Sequence, residues 1–286
     1  MKIAASELPL QKTGAIYHLN LFPEELADHI ILVGDPGRVS IVSQRFDCIE
    51  VKKENRELLT HTGTYKGKRI SVISTGMGTD NIDIVLNELD ALASIDLKTM
   101  TVKENRRTLT MVRVGTCGAL HPDIPIHSYI AAKQGFGIDG VLQFYRHEGL
   151  SNEPLVSAFV EQTDWNERLP YPYCIEADDD LFQQIGYDMI QGITMSAPGF
   201  FGPQGRQVRA LLQYPDLNSK IEKFSYNGLK ITNLEMECSA IYGLSKILNH
   251  KALTVCLAIA NRANGAFSEG YEEHMGQLID VVLERL

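Results

Sequence analysis

Short apolar runs alternate along the chain with longer segments whose apolar residues recur at helical spacing. Continuous apolar runs rich in β-branched residues are typical of strands that are buried in a sheet. The predicted strands are 30–33, 69–74, 111–114, 128–132, 192–196, 229–232 and 253–260. The predicted helices are 39–46, 81–95, 155–168, 178–189, a segment that ends at about 249, and 268–285. This alternation predicts an α/β fold.

The helix predicted at 81–95 indicates how these elements pack. Its apolar residues form one stripe on a helix face, namely Ile82, Val85, Leu86, Leu89 and Leu92. A single apolar stripe favours packing against a sheet. No internal repeat and no proline- and serine-rich linker divides the 286 residues, so we expect one domain over residues 1–286. The expected architecture is a three-layer α/β/α sandwich around a mostly parallel, mixed sheet.

Three polar stretches interrupt this pattern. Residues 96–110 contain four basic side chains and predict a surface insertion before the strand at Met111. Residues 54–57 are mostly charged and predict a solvated loop, and residues 136–148 predict an irregular excursion. We expect the basic cluster of the insertion to be solvated and to have no direct function.

Four predicted strands end in loops with an unusual polar content, at Gly34, Gly115, Ser196 and Asn261. The ends of parallel strands meet at one edge of a sheet, and ligands bind just beyond the carboxyl ends of such strands. We therefore expect the four loops to converge on one pocket.

Two of these loops have the chemistry of an anion site. Arg113 lies inside a predicted buried strand, and a buried guanidinium needs an anionic partner. That strand then turns at residues 115–118, Gly-Thr-Cys-Gly, where backbone N–H groups become available. The loop 34–38 opens a helix with Arg38 near its N-terminus, where anions are favoured. This second loop is not a P-loop, because it lacks the Lys-Ser/Thr pair.

Two other segments are suited to an organic ligand. The loop 197–206 holds two aromatic residues, a glutamine and an arginine among glycines and prolines. Such a loop can stack a planar ring and hydrogen-bond its edge, although an aromatic plug below a surface turn is the structural alternative. Glu235 and Glu237 cannot share one helix face. They fit the first turn of a helix, where one carboxylate can face a ligand.

Composition narrows the possible functions. The net charge of −9 argues against a nucleic-acid-binding surface, so local arginines must hold any anionic ligand. The five cysteines never form a C-x-x-C pair, which indicates a reducing compartment and argues against a disulfide framework or a zinc site. We assign no residue to a metal site, and we expect Cys117 to be a packing residue. The glycines at 76 and 78 lack the third glycine of a dinucleotide-binding fingerprint, which argues against an NAD site. The longest apolar run, 252–260, is shorter than the ~18–20 residues that span a bilayer, and residues 1–10 lack a signal-peptide core. We expect a cytoplasmic protein without nucleic-acid or membrane partners.

Five short motifs occur in an order that resembles the nucleoside phosphorylases of the trimeric or hexameric type, most closely their uridine-cleaving branch. The motifs are Gly34-Asp35-Pro36-x-Arg38, Ser74-Thr75-Gly76-x-Gly78, Arg113-Val114-Gly115-Thr116-x-Gly118, Phe200-x-x-x-Gln204-x-Arg206 and Glu235-Met236-Glu237-x-Ser239. The resemblance extends over nearly the whole chain, from His18 to Arg262. It implies reversible phosphorolysis of uridine to uracil and ribose 1-phosphate, with inorganic phosphate as co-substrate and no organic cofactor.

The resemblance also implies a role for each motif residue. Phosphate would be held by Gly34, Arg38, Arg113 and Thr116, together with Arg56 contributed by a neighbouring subunit. The ribose would contact Met236 and Glu237, and a neighbouring subunit would contribute His18 to the 5′-hydroxyl. The base site would comprise Gly118, Phe200, Gln204, Arg206 and Arg262. Arg113, Arg206 and Glu237 would carry the catalytic roles. The chain would form a homo-oligomer whose minimal unit is a dimer and whose full assembly could be a hexamer.

Phosphorolysis needs the residue types that these motifs supply. The sugar passes through an oxocarbenium-like state, so the site must fix the phosphate nucleophile and stabilise charge on the departing base. Three arginines suit a phosphate dianion. Gln204 offers an acceptor and a donor to the O2/N3 edge of uracil, and Arg206 donates to O4 but rejects the amino group of cytosine.

Other functions stay open at this point. Purine-cleaving relatives carry an aspartate shortly after the strand serine, whereas residues 197–199 read Ala-Pro-Gly, which counts against a purine substrate. A purine or broad-range nucleoside phosphorylase is nevertheless the alternative enzyme. A nucleosidase is a second one, although hydrolysis needs no arginine clamp. A nucleoside-binding protein without activity is a third alternative, because fold alone does not specify function.

Overall fold

Thirteen strands and seven α-helices follow one another along residues 2–286, which the computed structural model describes. The strands are β1 (His29–Val33), β2 (Cys48–Asn55), β3 (Leu58–Tyr65), β4 (Lys68–Ser74), β5 (Ile95–Asp96), β6 (Thr101–Val102), β7 (Thr110–Ala119), β8 (Tyr129–Gly137), β9 (Tyr173–Glu176), β10 (Ile190–Ser196), β11 (Ile231–Glu235), β12 (Lys251–Asn261) and β13 (Ala266–Phe267). The helices are α1 (Pro36–Ser43), α2 (Thr79–Ser94), α3 (Glu153–Thr163), α4 (Asp179–Ile185), α5 (Leu217–Lys223), α6 (Cys238–Ile247) and α7 (Glu272–Arg285). Short 3-10 helices occupy Pro23–Glu25, Val141–Phe144 and Gly202–Gln204.

Eleven of the strands belong to one mixed sheet. Its order is β13-β12-β8-β10-β11-β7-β1-β4-β3-β2, and β9 pairs with β8 beside this path. Strand β1 pairs in parallel with both β4 and β7, and β10 pairs in parallel with both β8 and β11. The α/β class and the mixed sheet predicted from the sequence are confirmed.

One half of this sheet closes on itself. Strand β12 pairs in parallel with β7 and antiparallel with β8, so β7, β12, β8, β10 and β11 form a ring of paired strands. The contact that closes the ring is short, since Asn233 and Leu234 of β11 pair with Ala119 and Gly118 of β7. It places the end of β11, at Glu235, beside the 113–118 segment of β7.

Helices α1, α2 and α4 show how local sequence determines helix packing and helix starts. All five apolar residues of the α2 stripe are fully buried. The Asp35 carboxylate caps α1 by accepting the Gly37 N–H at 2.8 Å, and Asp178 caps α4 by accepting the Leu181 N–H at 3.1 Å. Such caps satisfy N–H groups that have no partner within the helix. The first of them fixes the direction of the loop 34–38.

A β-hairpin replaces the solvated loop predicted at residues 54–57. Strands β2 and β3 pair antiparallel up to Asn55 and Leu58, so that only Arg56 and Glu57 lie in the turn. Strand β2 is at the edge of the sheet, and edge strands carry charged residues that discourage association with other edges. Those charges concealed the strand from the hydrophobic pattern.

Two more strand predictions need correction. The irregular excursion predicted at 136–148 begins with the last two residues of β8, because that strand continues through the polar Lys133 and Gln134 to Gly137. Strand β9 was not predicted, since its four residues follow prolines at 170 and 172 and are too few to show a period. Helices α3 and α7 are shorter than predicted, ending at Thr163 and beginning at Glu272.

The stretch predicted as a polar insertion, 96–110, contains a small separate hairpin. Strands β5 and β6 form a two-stranded sheet apart from the main sheet, and Thr101 of β6 also bridges to Lys2. Arg107 donates hydrogen bonds to the carbonyl oxygens of Leu26 at 3.0 Å and Pro23 at 3.1 Å. This member of the basic cluster is therefore fixed to the backbone and is not simply solvated. Across residues 2–286, no helix combines the length and apolar character that crossing a membrane requires.

Candidate active site

A cavity of about 840 Å³ lies where the strand-end loops converge. Its wall includes residues that follow β1, β4, β10 and β12, together with the ends of β7 and β11. Eleven of the site residues expected from the sequence line it, namely Gly34, Arg38, Arg113, Thr116, Gly118, Phe200, Gln204, Arg206, Met236, Glu237 and Arg262. The structure thus brings together residues that are up to 228 positions apart in a single cavity, counted from Gly34 to Arg262.

One end of this cavity, the cationic end, contains two buried arginines. Arg38 and Arg113 are 8% and 5% exposed. Arg38 donates to the carbonyl oxygen of Val114 at 3.3 Å, which ties α1 to β7. Burial, followed by the nearby charge of Arg113, lowers the pKa of Arg38. Two cations in so little solvent favour an anion between them.

Arg113 already has anionic partners within the chain. Its Nη1 lies 3.3 Å from Oε2 of Glu235, and its Nη2 donates to Oε2 of Glu237. Burial lowers the pKa of Arg113, but the carboxylates of Glu237 and Glu235 outweigh that effect and raise it above its ordinary value. The requirement for an anionic partner is therefore met by two carboxylates, and a bound anion would share the guanidinium with them.

Position 115 is a glycine because the Arg113 side chain lies directly over it. The two residues are on the same face of β7, because side chains two apart in a strand point the same way. A Cβ atom at Gly115 would lie 1.9 Å from Nη1 of Arg113. The Arg-x-Gly spacing of this motif therefore allows the guanidinium to fold back along its own strand.

The two acids expected in a helix first turn instead precede the helix. Glu235 ends β11 and accepts hydrogen bonds from Ser196 Oγ at 2.5 Å, from the Glu237 N–H at 2.9 Å and from the Cys238 N–H at 3.0 Å. Burial raises the pKa of Glu235 to about 7, against the opposing effect of Arg113. Glu237 occupies the N-cap position of α6, but its side chain makes no capping hydrogen bond. Its Oε1 instead accepts the N–H of Gly78 at 2.8 Å. Both carboxylates thus have fixed orientations.

A second part of the cavity wall, which we call the base end because the resemblance assigns it to the nucleobase, is built from the loop after β10. The Arg206 guanidinium lies 3.8 Å from the centroid of the Phe200 ring and donates to Oε1 of Gln204 at 2.6 Å. Arg262 donates to the carbonyl oxygen of Gln204 at 2.9 Å. Burial, followed by Arg262, lowers the pKa of Arg206 to about 10. Arg206 and Arg262 thus hold the loop through hydrogen bonds, and the loop is not an aromatic plug, because Phe200 and Phe201 are 50% and 58% exposed.

Two expected site residues, His18 and Arg56, do not line this cavity. His18 belongs to an N-terminal arm, residues 14–20, and its Nδ1 lies 2.7 Å from Oε1 of Glu88. Arg56 is exposed in the β2–β3 turn with a φ of 55°. The neighbouring Asn55 donates to the carbonyl oxygen of His18 at 2.8 Å. The arm and the hairpin are therefore joined to each other, and of the two turn residues only Glu57 lines the cavity of its own chain.

Some lining residues were missed from the sequence. Phe267 of β13 and Asn81 of α2 line the cavity, as does Met77 of the Gly76–Gly78 loop. Strand β13 has only two residues and therefore gives no periodic signal. Met77 is the unspecified residue of the Ser74–Gly78 motif. It is an apolar side chain that is 74% exposed beside the cavity, and this exposure is visible only in the structure.

The cysteines and possible metal ligands add little to this site. Cys117 lines the cavity but is buried, and burial raises the pKa of its thiol well above the ordinary value. Such a thiol is not an activated nucleophile. In the described part of the chain, no group of three or more His, Cys, Asp or Glu side chains is arranged to hold a metal ion.

Comparison with known proteins gives consistent matches over most of the chain. The family model described as Phosphorylase superfamily matches residues 28–284. A uridine phosphorylase of Thermococcus kodakarensis is 30% identical over 281 residues, which are 95% of this chain and 87% of that protein. A DeoD-type purine nucleoside phosphorylase of Oceanobacillus iheyensis is 30% identical over 239 residues, covering 83% and 84% of the two chains.

A solved structure is similar to the whole fold. It is the crystal structure of a Trypanosoma brucei nucleoside phosphorylase that shows uridine phosphorylase activity. The two chains are 31% identical, the TM-score is 0.89, and the match covers 98% of this chain and 99% of the other.

Proposed function

Since the chain belongs to the phosphorylase superfamily, we propose that it catalyses the reversible phosphorolysis of uridine to uracil and ribose 1-phosphate. The family predicted from the sequence motifs is confirmed, and the chain is an enzyme of that family. The observation that supports uridine most directly is the contact between Arg206 and Gln204. Because the guanidinium donates to Oε1, the amide is fixed with its NH₂ group on the other side.

A fixed amide next to an arginine suits the edge of uracil, which presents an acceptor, a donor and an acceptor. The second lone pair of Gln204 Oε1 would accept the N3–H, its Nε2 would donate to O2, and Arg206 would donate to O4. Phe200, Gly118 and Arg262 complete this base site. Cytosine has an amino donor at position 4, so it would face Arg206 with donor against donor.

At the cationic end, Arg38, Arg113, Gly34 and Thr116 would bind phosphate. A phosphate oxygen would attack C1′ of the ribose while the C1′–N1 bond breaks. The base would leave with the electron pair of that bond and take up the proton released by phosphate. Arg206 would stabilise the charge that develops on O4, and no organic cofactor is needed.

Ribose binding connects the two ends. Met236 and Glu237 would contact the sugar hydroxyls, since Glu237 is held beside Arg113 by the Gly78 N–H. His18 and Arg56 would complete the ribose and phosphate sites of a neighbouring subunit, because neither residue lines the cavity of its own chain and the arm is hydrogen-bonded to the hairpin through Asn55. We therefore propose a homo-oligomer with the dimer as the minimal active unit.

A purine substrate is the second candidate, because purine nucleoside phosphorylases are among the relatives at 30% identity. The segment Ala197–Gly199 supplies no carboxylic acid to protonate a purine ring nitrogen. The test is the kcat/KM series for uridine, thymidine, cytidine and inosine at saturating phosphate. We expect uridine to be cleaved, cytidine to be refused and inosine to be poor. An inosine value equal to or above that of uridine would favour the purine enzyme.

A further inference from the structure

We propose that Glu88 is a positioning residue that orients His18 toward the 5′-hydroxyl of the nucleoside bound by a neighbouring subunit. This inference rests on the proposed function, from which it takes the role of His18. It assigns a task to a buried acid of α2 that lines no part of the cavity.

The Glu88 carboxylate holds the arm through several hydrogen bonds. It accepts the His18 N–H at 2.9 and 3.0 Å and the Leu19 N–H at 2.8 Å. The same carboxylate lies 2.7 Å from Nδ1 of the His18 ring. Glu88 is only 6% exposed, and both of its carboxylate oxygens accept backbone N–H groups of the arm. Backbone and imidazole of His18 are therefore fixed by one group.

Attachment of the arm to the core does not by itself require an acid. Ile16, Leu19 and Leu21 are buried in the main hydrophobic cluster on both sides of His18. The face of α2 around Glu88 is otherwise apolar, and a buried charge costs free energy unless it is well paired. The apolar residues hold the arm in place, and the carboxylate adds the orientation of the imidazole.

This orientation has a chemical consequence. Both oxygens of Glu88 already act as acceptors for backbone N–H groups, so Nδ1 of His18 is the donor in its contact with Oε1. In the neutral ring, Nε2 then has a free lone pair and accepts a hydrogen bond from a hydroxyl group. Contacts that fix the tautomer and direction of a functional histidine are a common way to support a site. Glu88 thus sets His18 as an acceptor for the 5′-hydroxyl.

A second acid of the same helix provides a matched control. Asp90 lies two residues further along α2 and also faces a histidine, with its Oδ1 3.2 Å from Nε2 of His250. It accepts a hydrogen bond from Ser94 Oγ at 2.8 Å as well. Asp90→Asn therefore perturbs a carboxylate–histidine contact of α2 without touching the arm.

The experiment compares kcat/KM for uridine and 5′-deoxyuridine in the wild type, Glu88→Gln and Asp90→Asn. In the wild type, removal of the 5′-hydroxyl should lower kcat/KM. Glu88→Gln should lower the uridine value by about 10–100-fold, as removal of a supporting contact typically does, and leave 5′-deoxyuridine within about twofold of the wild type. Asp90→Asn should keep the wild-type ratio between the two substrates.

Each failure has a distinct signature. A wild type that does not cleave uridine overturns the proposed function. A wild type that treats both substrates alike removes the role of His18 and with it this inference. If the wild type discriminates between the two substrates but Glu88→Gln lowers kcat/KM for both by the same factor, Glu88 is structural and the inference is wrong. Glu88→Asp keeps the charge and serves if Glu88→Gln does not fold, and its loss should again be confined to uridine.

Discussion

The two ends of the cavity use arginine in opposite ways. At the cationic end, Arg113 is buried and paired with Glu235 and Glu237, whose charges raise its pKa. At the base end, Arg206 contacts an amide oxygen and an aromatic ring, and its pKa is lowered to about 10. The charge of Arg113 is therefore balanced by carboxylates of its own chain, whereas the contacts of Arg206 leave its charge unbalanced.

Under the proposed function, this difference explains how one cavity would treat phosphate and the nucleoside differently. Balanced charges at the cationic end hold the Arg113 guanidinium in one geometry, so phosphate meets a preorganised donor set. The unbalanced charge at the base end gains most from an acceptor, and most of all from one that becomes negative as the base departs. The cationic end is therefore suited to holding the nucleophile, and the base end to choosing the base.

The largest effect is expected at the base end. Sites that hydrogen-bond a substrate group reject analogues without it by ~10⁴–10⁵-fold. We expect Arg206→Met to lose most of the preference for uridine over cytidine, because uridine loses its donor to O4 while cytidine loses an unfavourable contact. Measured kcat/KM values for both nucleosides test this. Arg209→Met, an exposed arginine of the same loop, is the control and should keep the preference.

At the cationic end, Arg113→Ala should lower kcat by about 10²–10³-fold, the usual cost of removing one donor to developing charge. The same substitution should also lower the stability of the fold, an effect that the sequence did not predict. Removing Arg113 leaves two buried carboxylates unpaired, which should cost about 3–5 kcal/mol of unfolding free energy. Steady-state kinetics and chemical denaturation measure the two effects. Unchanged phosphate KM and kcat in a folded Arg113→Ala variant would contradict the assignment.

A smaller effect tests whether the cavity is completed by a neighbour. Arg56→Ala and Arg206→Ala subunits should each be nearly inactive alone and recover activity when mixed under exchange conditions. Random pairing in a two-fold dimer would give about a quarter of the wild-type activity, since half of the dimers are hybrids and each has one complete site. Subunit exchange demonstrated by mass, without any recovery, would show that the sites are self-contained.

The smallest effect concerns the acid that supports the cationic end. Burial raises the pKa of Glu235 from 4.5 to about 7, so the folded state binds a proton that the unfolded state releases. The stability contributed by this group is fully present below pH 4.5 and is lost as the pH rises through about 7. The melting temperature of the wild type relative to Glu235→Gln should therefore fall over this interval. A constant difference would mean that Glu235 is ionised throughout.

The sequence predicted those parts of the site that depend on local order. Glycines, prolines and charged residues directly after apolar runs predicted the loops at Gly34, Ser196 and Asn261, and the shared edge of the strands predicted their convergence. A buried arginine at 113 predicted an anionic partner. These inferences hold because strand ends and buried charges have few physical solutions. The turn predicted at 115–118 is wrong, because β7 continues to Ala119 and its glycine-rich end pairs with β12.

Features that depend on distant parts of the chain were not predictable in this way. The partners of Arg113 come from β11 and the start of α6, more than 120 positions away, and the spacing of Glu235 and Glu237 does not reveal where they point. Closure of the sheet depends on β12 pairing on both of its edges. Strand β2 was concealed because its edge position requires the charges that mask a strand pattern.

Dependence of uridine cleavage on inorganic phosphate tests the central claim most directly. Uracil release, followed by ultraviolet absorbance, should be absent in phosphate-free buffer and should saturate as phosphate is added, with ribose 1-phosphate formed in equal amount. Equal rates with and without phosphate, with free ribose as product, would contradict the account and make the protein a nucleosidase.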